Sequence, residues 1–580
     1  MRAQIRNRQL VRTIAASIMF AVGIAATVTA YAEASSAAQP ASALPFQPLS
    51  PQGQTLLRGF IDAGRLAELR WPNFSGYQNQ VGAFYQSTGY SLAWVKNSRP
   101  TPQALAIADA LAAADAKGLN SDDYDGSRWA GRIVQLNQSV SPPAEADLAK
   151  FDLEMTVDSM RYVSDLHTGR VNPKSLGLGL DVDGRKYDLS RFIRERLINS
   201  DPDGLKQALA KIEPPFDAYK RLAAALGSYR VLANKDAGEP LPSPGKTINP
   251  GDTYSGVARL ASLLRLIGDL PADAAVSTES PVYQQPLVDA VKRFQRNHGL
   301  DADGRIGAQT LKQLNIPLSQ RVEQIKLAME RWRWVPHRFS RPPVIVNIPE
   351  FILRCWDKFN HNVLQMNVVV GKAYHHKTPV FSQNMRYLIF RPYWEVPTDI
   401  ARAEMIPKLH RDANYISKNN LEVVDGDGAV VTEGPVNGDI LDGIESGDYQ
   451  VRQKPGPKNA LGLVKFIFPN DYSVYLHSTD APQLFSRSQR DFSHGCIRVQ
   501  NPADLAMWVL RDQPGWDKAR ILDAMNQGDD NRRVNLAQPI PVLIVYGTAA
   551  VRPAGEVQFF DDIYGYDSEL EQALAKAYSD

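Results

Sequence analysis

The chain reads as a multidomain α+β protein, and three observations predict that class. Its 580 residues are enough for three or four domains. Apolar residues recur at helical spacing through the first half, and from about residue 343 the period drops to two, with Val344, Val346 and Ile348 alternating. A Pro/Gly-rich break from Pro240 to Pro250 interrupts the helical pattern and marks a boundary. Hydrophobic residues at 44% and charged residues at 22% are ordinary for globular protein. A net charge of +2, with no basic block interleaved with aromatics, gives no reason to expect nucleic acid as a partner.

Residues 1–32 have the pattern of an export signal. Arg2, Arg6, Arg8 and Arg12 precede a mostly apolar run from Ile14 to Val28, and Ala30-Tyr31-Ala32 supplies a small-x-small cleavage site. An uncleaved N-terminal anchor is the alternative, although the run is short for a full span. Either reading places the body outside the cytoplasm. The stretch 33–48, rich in Ala, Ser, Gln and Pro, reads as a linker.

From 49 to 245 the pattern is helical. Leu56, Leu57, Phe60 and Ile61 mark one helix. Thr101-Pro102 opens another that closes near Gly118, and Phe151, Met155, Tyr162 and Leu166 mark a third. No catalytic constellation stands out, so this region is expected to be scaffold and His167 structural. Ser243-Pro244-Gly245-Lys246 spells S-x-x-K, but prolines crowd it and its partner motifs are missing, so it is chance. Residues 251–316 give three short helices, marked by Val257, Leu260, Leu263 and Leu264, then Leu287, Val291 and Phe294, then Thr310, Leu311 and Leu314. Asp301-x-Asp303-Gly304 between the last two is a turn; a calcium loop would place its glycine later and add a distal Glu.

The chemistry concentrates late. Phe492-Ser493-His494-Gly495-Cys496-Ile497-Arg498-Val499 sets a cysteine beside a turn glycine, and Tyr475-Leu476-His477-Ser478 lies just upstream. A thiol attacks as thiolate, so it needs a base or a cation nearby, and two histidines are candidates. Asp471 to His477 alternates like a strand, with Tyr472, Val474 and Leu476 on one face, which puts His477 at a strand end. Asn501 as N-cap and Pro502 at the first turn start a helix carrying Leu505, Trp508 and Val509. Cys496 is therefore expected on a loop between β structure and that helix.

The Ser493–Arg498 run and the His477-Ser478-Thr479 element resemble the signature of the L,D-transpeptidases, cysteine enzymes that crosslink peptidoglycan. The resemblance assigns Cys496 as nucleophile and His477 as its base, with Ser478 beside the base. Ser493, His494 and Gly495 would shape the acyl-binding loop, whose backbone N–H groups serve as oxyanion hole. Many relatives carry Asn where this chain has Arg498, which would hold a carboxylate or the loop itself. Other phrases extend the likeness. Gly371-Lys372 with Lys377-Thr378-Pro379-Val380-Phe381 resembles a family strand–turn, with His375 and His376 as turn residues. Pro392-Tyr393-Trp394-Glu395-Val396-Pro397 resembles a substrate-groove stretch, which makes Tyr393 and Trp394 groove residues; core packing is equally open for Trp394. Asn459-Ala460-Leu461-Gly462-Leu463-Val464-Lys465-Phe466 resembles a strand returning to the site.

Residues 83–94, 117–124 and 165–171 resemble the scaffold domain of large Gram-negative members, and 290–307 resembles the peptidoglycan-binding type 1 module. The resemblance implies a helical scaffold domain at 49–245 and a three-helix peptidoglycan-binding-like module at 251–316. It implies a β-rich catalytic domain at 343–525 with a cap inserted at about 398–457, built of one helix (Ala401 to Leu409) and Gly-rich loops. Residues 526–580 would complete the core and end in a surface helix. It further implies a periplasmic enzyme, open to carbapenems, that joins tetrapeptide donor and acceptor stems by 3→3 crosslinks without metal or organic cofactor, with other wall-synthesis enzymes as candidate partners.

Other readings of the same residues stay open. The chain's two cysteines could pair as Cys355–Cys496, and Cys355 in its apolar run suits packing. His477, His494 and Cys496 offer three metal ligands, without the spacing of known zinc motifs. The same thioester chemistry would serve an L,D-carboxypeptidase or an enzyme attaching protein to the wall. A wall-binding scaffold with an idle cysteine is the non-enzymatic alternative.

Overall fold

The computed structural model describes residues 46–138, 142–185, 187–236, 238–277, 280–358, 361–373, 376–576 and 578. The expected export segment 1–32, most of the linker and His375 lie outside them. No helix among the described residues is long and apolar enough to cross a membrane.

Helix Glu145–Thr168 is the axis of the N-terminal region, buried on nearly all sides. Its polar positions are therefore buried too, and several are tied to neighbouring segments. Asp152 shows how: its carboxylate accepts from the Ala93 and Trp94 N–H groups at 2.9 and 2.7 Å and from the Tyr85 hydroxyl at 2.7 Å. That single side chain ties two segments of chain to the axis.

Three short helices, Val257–Leu266, Leu287–Asn297 and Ala308–Leu314, share a separate apolar core. Gln295 is buried in it. Its amide donates to Asp303, the Arg305 carbonyl and Thr310, and its oxygen accepts from the Gly304 N–H at 2.8 Å. Gly304 has φ 75°, and a Cβ there would meet Val288 and Lys292 at 2.9 Å, so the Asp301–Gly304 segment is the glycine turn expected.

Helix Leu318–Trp334 joins these regions to the β-rich one. It buries charge along with apolar residues, and each charge meets a different neighbour. Glu330 accepts from the N–H groups of Arg170 and Val171 at 2.6 and 3.0 Å, Arg333 pairs with Glu330 at 3.0 Å, and Arg331 pairs with Asp567.

The β-rich region closes on itself. Its strands are β1 (Val344–Asn347), β2 (Ile352–Trp356), β3 (Asn362–Gly371), β4 (Phe381–Phe390), β5 (Val464–Ile467), β6 (Leu476–His477), β7 (Ile497–Val499) and β8 (Arg532–Val545). The order is β3-β7-β6-β5-β4-β8-β1-β2, and β2 pairs back onto β3. Closure is possible because β3 is ten residues long: Asn362–Asn367 faces β2, while Val368 and Val369 face β7. Apolar side chains of β1, β3, β4, β5, β6 and β7 fill one core, and helices Pro502–Val509 and Lys518–Asn526 cover it. Closure leaves few free edges. A short edge strand, Asp491–Ser493, adds to β3 just before the cysteine.

Several expectations need correction. The strand expected over Asp471–His477 shrinks to Leu476–His477, because Ser473 takes φ 56° and the Asn470 side chain folds 470–474 into a turn. The strand expected over 459–466 begins only at Val464, with residues 460–463 forming a turn before it. Asn501 precedes the helix as expected, but its side chain makes no cap hydrogen bond. The insertion is more than a helix with loops: Trp394–Glu395, Gln450–Gln453, Leu421–Val424 and Val430–Thr432 form a four-stranded sheet over an apolar core of its own. Its root is Asn459, fully buried, whose amide donates to the carbonyls of Pro392, Gln453 and Lys454.

The C-terminal helix Tyr566–Lys576 lies on the surface as expected, but one face of it is docked. Leu570 is buried in the barrel core, Thr548 donates to Asp567, and the Tyr578 hydroxyl donates to Asp165 of the axial helix at 2.6 Å. Nor does 49–245 keep to itself, since Val171, Leu178, Leu180 and Val182 lie in the barrel core and Gly179 donates to the Val380 carbonyl at 2.8 Å.

Candidate active site

The alternation of β5, β6 and β7 decides which side chains share the barrel's outer face. Val464 and Phe466, Leu476, and Ile497 and Val499 point into the core. Lys465, His477 and Arg498 therefore point outward, and they form one cross-strand row: Lys465 opposes His477, and His477 opposes Arg498. Cys496 precedes Arg498 by two residues, which puts its thiol on the same face beside Tyr475.

Cys496 lies in the three-residue turn between the edge strand and β7, so it sits between two strands and not between a strand and a helix. Ser493 holds the turn from within, donating to the Cys496 carbonyl at 2.6 Å and accepting from the Gly495 N–H at 3.1 Å. Gly495 has φ 117°, a conformation that needs glycine. Beneath it, Thr378 donates to the Gly495 carbonyl at 2.7 Å and accepts from the Gly371 N–H at 2.9 Å. The Tyr564 hydroxyl closes the network, donating to the Gly371 carbonyl at 2.6 Å and accepting from Thr378 N–H. The lysine–threonine–proline phrase thus acts as the floor under the cysteine turn.

The thiol is partly exposed and donates to the Ser473 carbonyl at 3.7 Å. Its acidity is set by opposing forces. Surrounding protein pushes the thiol pKa up, while Tyr475, Lys465 and Arg498 pull it down without reversing the shift. His477 is buried, and burial, then the charge of Arg498, brings it down to about 3. Its Nδ1 is buried with no hydrogen-bond partner. Burial thus favours the neutral form of both the thiol and the imidazole.

The other expected residues fall into place around this pair. Ser478 is buried behind His477, its N–H donating to Val464. It fits because Gly462, at φ 61°, has no side chain: a Cβ would lie 2.4 Å from the Ser478 hydroxyl. His494 reaches the cap, its Nε2 lying 2.7 Å from a Glu404 carboxylate oxygen, and its ring is 4.7 Å from that of His376. Arg498 flanks His477, with its Nε buried and unpartnered. Tyr393 sits under the Arg452 guanidinium at 4.6 Å, at the cap's root. Trp394 packs on the cap's own core. Cys355 is a fully buried free thiol on β2, raised far above the ordinary range by burial. No group of three or more metal-ligating side chains converges among the described residues.

Two residues escaped the sequence reading. Glu404 gave no signal, since only the folded cap brings it to His494. Lys465 did give one: it breaks an otherwise apolar run, and alternation against Val464 and Phe466 sends it outward.

Residues 342–530 match the model of the L,D-transpeptidase catalytic domain. The chain carries an L,D-transpeptidase catalytic domain. Residues 79–226 match a scaffold domain and 254–314 a peptidoglycan-binding domain, so the transpeptidase barrel is one of three recognised parts. A Haemophilus influenzae relative, provisionally named an L,D-transpeptidase, is 28% identical over 305 residues, 50% of this chain and 60% of that protein. A crystal structure of an L,D-transpeptidase from Stackebrandtia nassauensis aligns over 54% of this chain and 98% of its own at 12% identity, with a TM-score of 0.20.

Proposed function

We propose that this protein is a periplasmic L,D-transpeptidase that forms diaminopimelate–diaminopimelate (3→3) crosslinks in peptidoglycan through a thioester on Cys496. The observation that carries the reading is the outer-face cluster: a thiol beside Tyr475, a neutral imidazole with a free Nδ1, and two cations in one row. The thiol proton passes to His477 Nδ1 as sulfur attacks the carbonyl carbon of the donor's third residue. Because Ser493 already engages the Gly495 N–H, the Cys496 N–H and the Tyr475 phenol are assigned to the oxyanion. Collapse of the tetrahedral adduct breaks the C–N bond, and the leaving D-residue takes the proton from His477 as its amine departs. An acceptor side-chain amine then attacks the thioester, losing a proton to His477, and the thiol is restored.

Neutral imidazole suits the first step, since it must accept a proton. The cap favours amine over water as acceptor, because Glu404 on His494 holds it against the cysteine turn. The three-helix module would retain the enzyme on the wall. Two measurements test the reading: intact mass after incubation with a carbapenem, and analysis of products from tetrapeptide stems. A single adduct absent from Cys496→Ala, together with crosslinked dimers, is expected. Release of tripeptide without dimers would make the protein an L,D-carboxypeptidase. No adduct under reducing conditions would overturn acyl transfer altogether.

A further inference from the structure

The charge around the nucleophile is unbalanced. Lys465 and Arg498 are partly buried, and neither has an ion-pair partner among the described residues. Glu395 and Asp480 are the nearest carboxylates felt by Lys465 and Arg498 respectively, and both lie outside ion-pair distance. The Lys465 ammonium has only the Tyr393 carbonyl, at 3.5 Å, and the face of Tyr475 at 5.9 Å. The Arg498 Nε is shut away from water with no acceptor. Leaving buried cations unpaired is costly, so such a pair is expected to meet an anion supplied from outside.

Strand geometry fixes where that anion sits. Lys465 and Arg498 lie on either side of His477, each about 5 Å away between Cα atoms. An anion touching both rests over the imidazole, and Cys496 is two residues along β7, about 7 Å off. In a peptide held for attack on its carbonyl, the carboxylate of the very next residue is three bonds from the reacting carbon and about 4–6 Å from the sulfur, within reach of side chains rooted at Lys465 and Arg498.

We infer that Lys465 and Arg498 form a clamp for the free α-carboxylate of the residue expelled from the acyl donor. The inference rests on the acyl-transfer reading for its substrate. It adds which side chains read the free C-terminus of that residue. Arg498 supplies a planar fork and Lys465 a point charge, which together suit one carboxylate held from two sides.

The test uses the full chain and thiol probes that need no substrate. Cys496 is alkylated in parallel by iodoacetate, an anion, and by neutral iodoacetamide, with N-acetylcysteine as reference, and followed by intact mass. In wild type the iodoacetate-to-iodoacetamide rate ratio is expected to exceed the reference ratio by about tenfold, the worth of a charge-assisted contact. Lys465→Gln and Arg498→Gln should bring it back to the reference while iodoacetamide still reacts. Against a variant that does not fold, wild type alone suffices: N-acetyl-D-alanine should slow iodoacetate and N-acetyl-D-alaninamide should not. A wild-type ratio equal to the reference, or equal protection by acid and amide, would overturn the clamp. Donor tetrapeptide compared with its C-terminal amide separates the two readings. Cleavage of both overturns the clamp alone, whereas cleavage of neither with the alkylation ratio intact overturns acyl transfer alone.

Discussion

Gly462 offers the sharpest test of how His477, the proposed base, is held. Substituting Gly462→Ala would place a Cβ 2.4 Å from the Ser478 hydroxyl, 2.5 Å from its Cβ and 2.6 Å from the Thr479 N–H. These lie about 1 Å inside ordinary contact. Ser478 is bonded to His477, so the strand end must move by a similar amount. A misplacement of about 1 Å in a catalytic group costs on the order of a hundredfold in rate. The left-handed φ of 61° adds about 1–2 kcal/mol of strain for any residue but glycine. For a region of this size that lowers the Tm by only about 2–8 °C. Acylation of Cys496 by a carbapenem, followed by single-turnover intact mass, is therefore expected to fall about a hundredfold while the chain stays folded. Adding Ser478→Gly removes two of the three contacts and should recover about tenfold, leaving the backbone contact with Thr479. Acylation within about threefold of wild type in Gly462→Ala would refute the argument that this glycine seats the base.

Other outcomes follow from the same geometry. Thr378→Val keeps the shape but strands the Gly371 N–H and the Gly495 carbonyl, so it should cost about 2–4 kcal/mol in chemical denaturation and slow Cys496 acylation; a change below about 0.5 kcal/mol would contradict the floor assigned to Thr378. The pH profile of Cys496 alkylation by iodoacetamide should climb through neutrality to an inflection above the ordinary thiol value, because the raised pKa keeps the proton on sulfur at lower pH. It should show no step near the usual histidine value, since His477 is neutral down to about 3; a reactive plateau at acid pH would mean a thiolate–imidazolium pair after all. Under native conditions iodoacetamide should add once to wild type and not at all to Cys496→Ala, with Cys355 reacting only in denaturant, and a second native adduct would contradict its burial. Deleting residues 566–580 removes Leu570 from the core and leaves Arg331 and Asp165 without Asp567 and Tyr578, so limited proteolysis should cut the truncated chain much faster than the full one.

Local patterns carried much of this in advance. The helical stripes, the switch to period two at Val344 and the glycine turn at Gly304 are short-range features, and sequence states them directly. The placing of His477 and Cys496 on one face of the barrel was reachable because a motif compresses long-range geometry into quotable residues. What stayed hidden depends on register between distant strands. Lys465 and Arg498 are 33 positions apart in sequence and meet His477 from opposite sides only because β5 and β7 flank β6. Ser473 misled for a related reason: its neighbours alternate as a strand would, yet the Asn470 side chain offers the backbone a competing set of hydrogen bonds and a turn forms. Trp394 fitted groove and core equally until the cap's own sheet settled its partners.

The docking of the chain's last residues bears on the order in which it is made. Val171, Leu178 and Leu180 leave the ribosome hundreds of residues before Leu570, which shares their core. During synthesis that strip stays uncovered, and the axial helix waits for Tyr578 to reach Asp165. A product cut short before Tyr566 therefore displays apolar surface and unpaired buried charge at once. Proteases and chaperones recognise that kind of defect. A shortened chain would be cleared rather than left with an incomplete core.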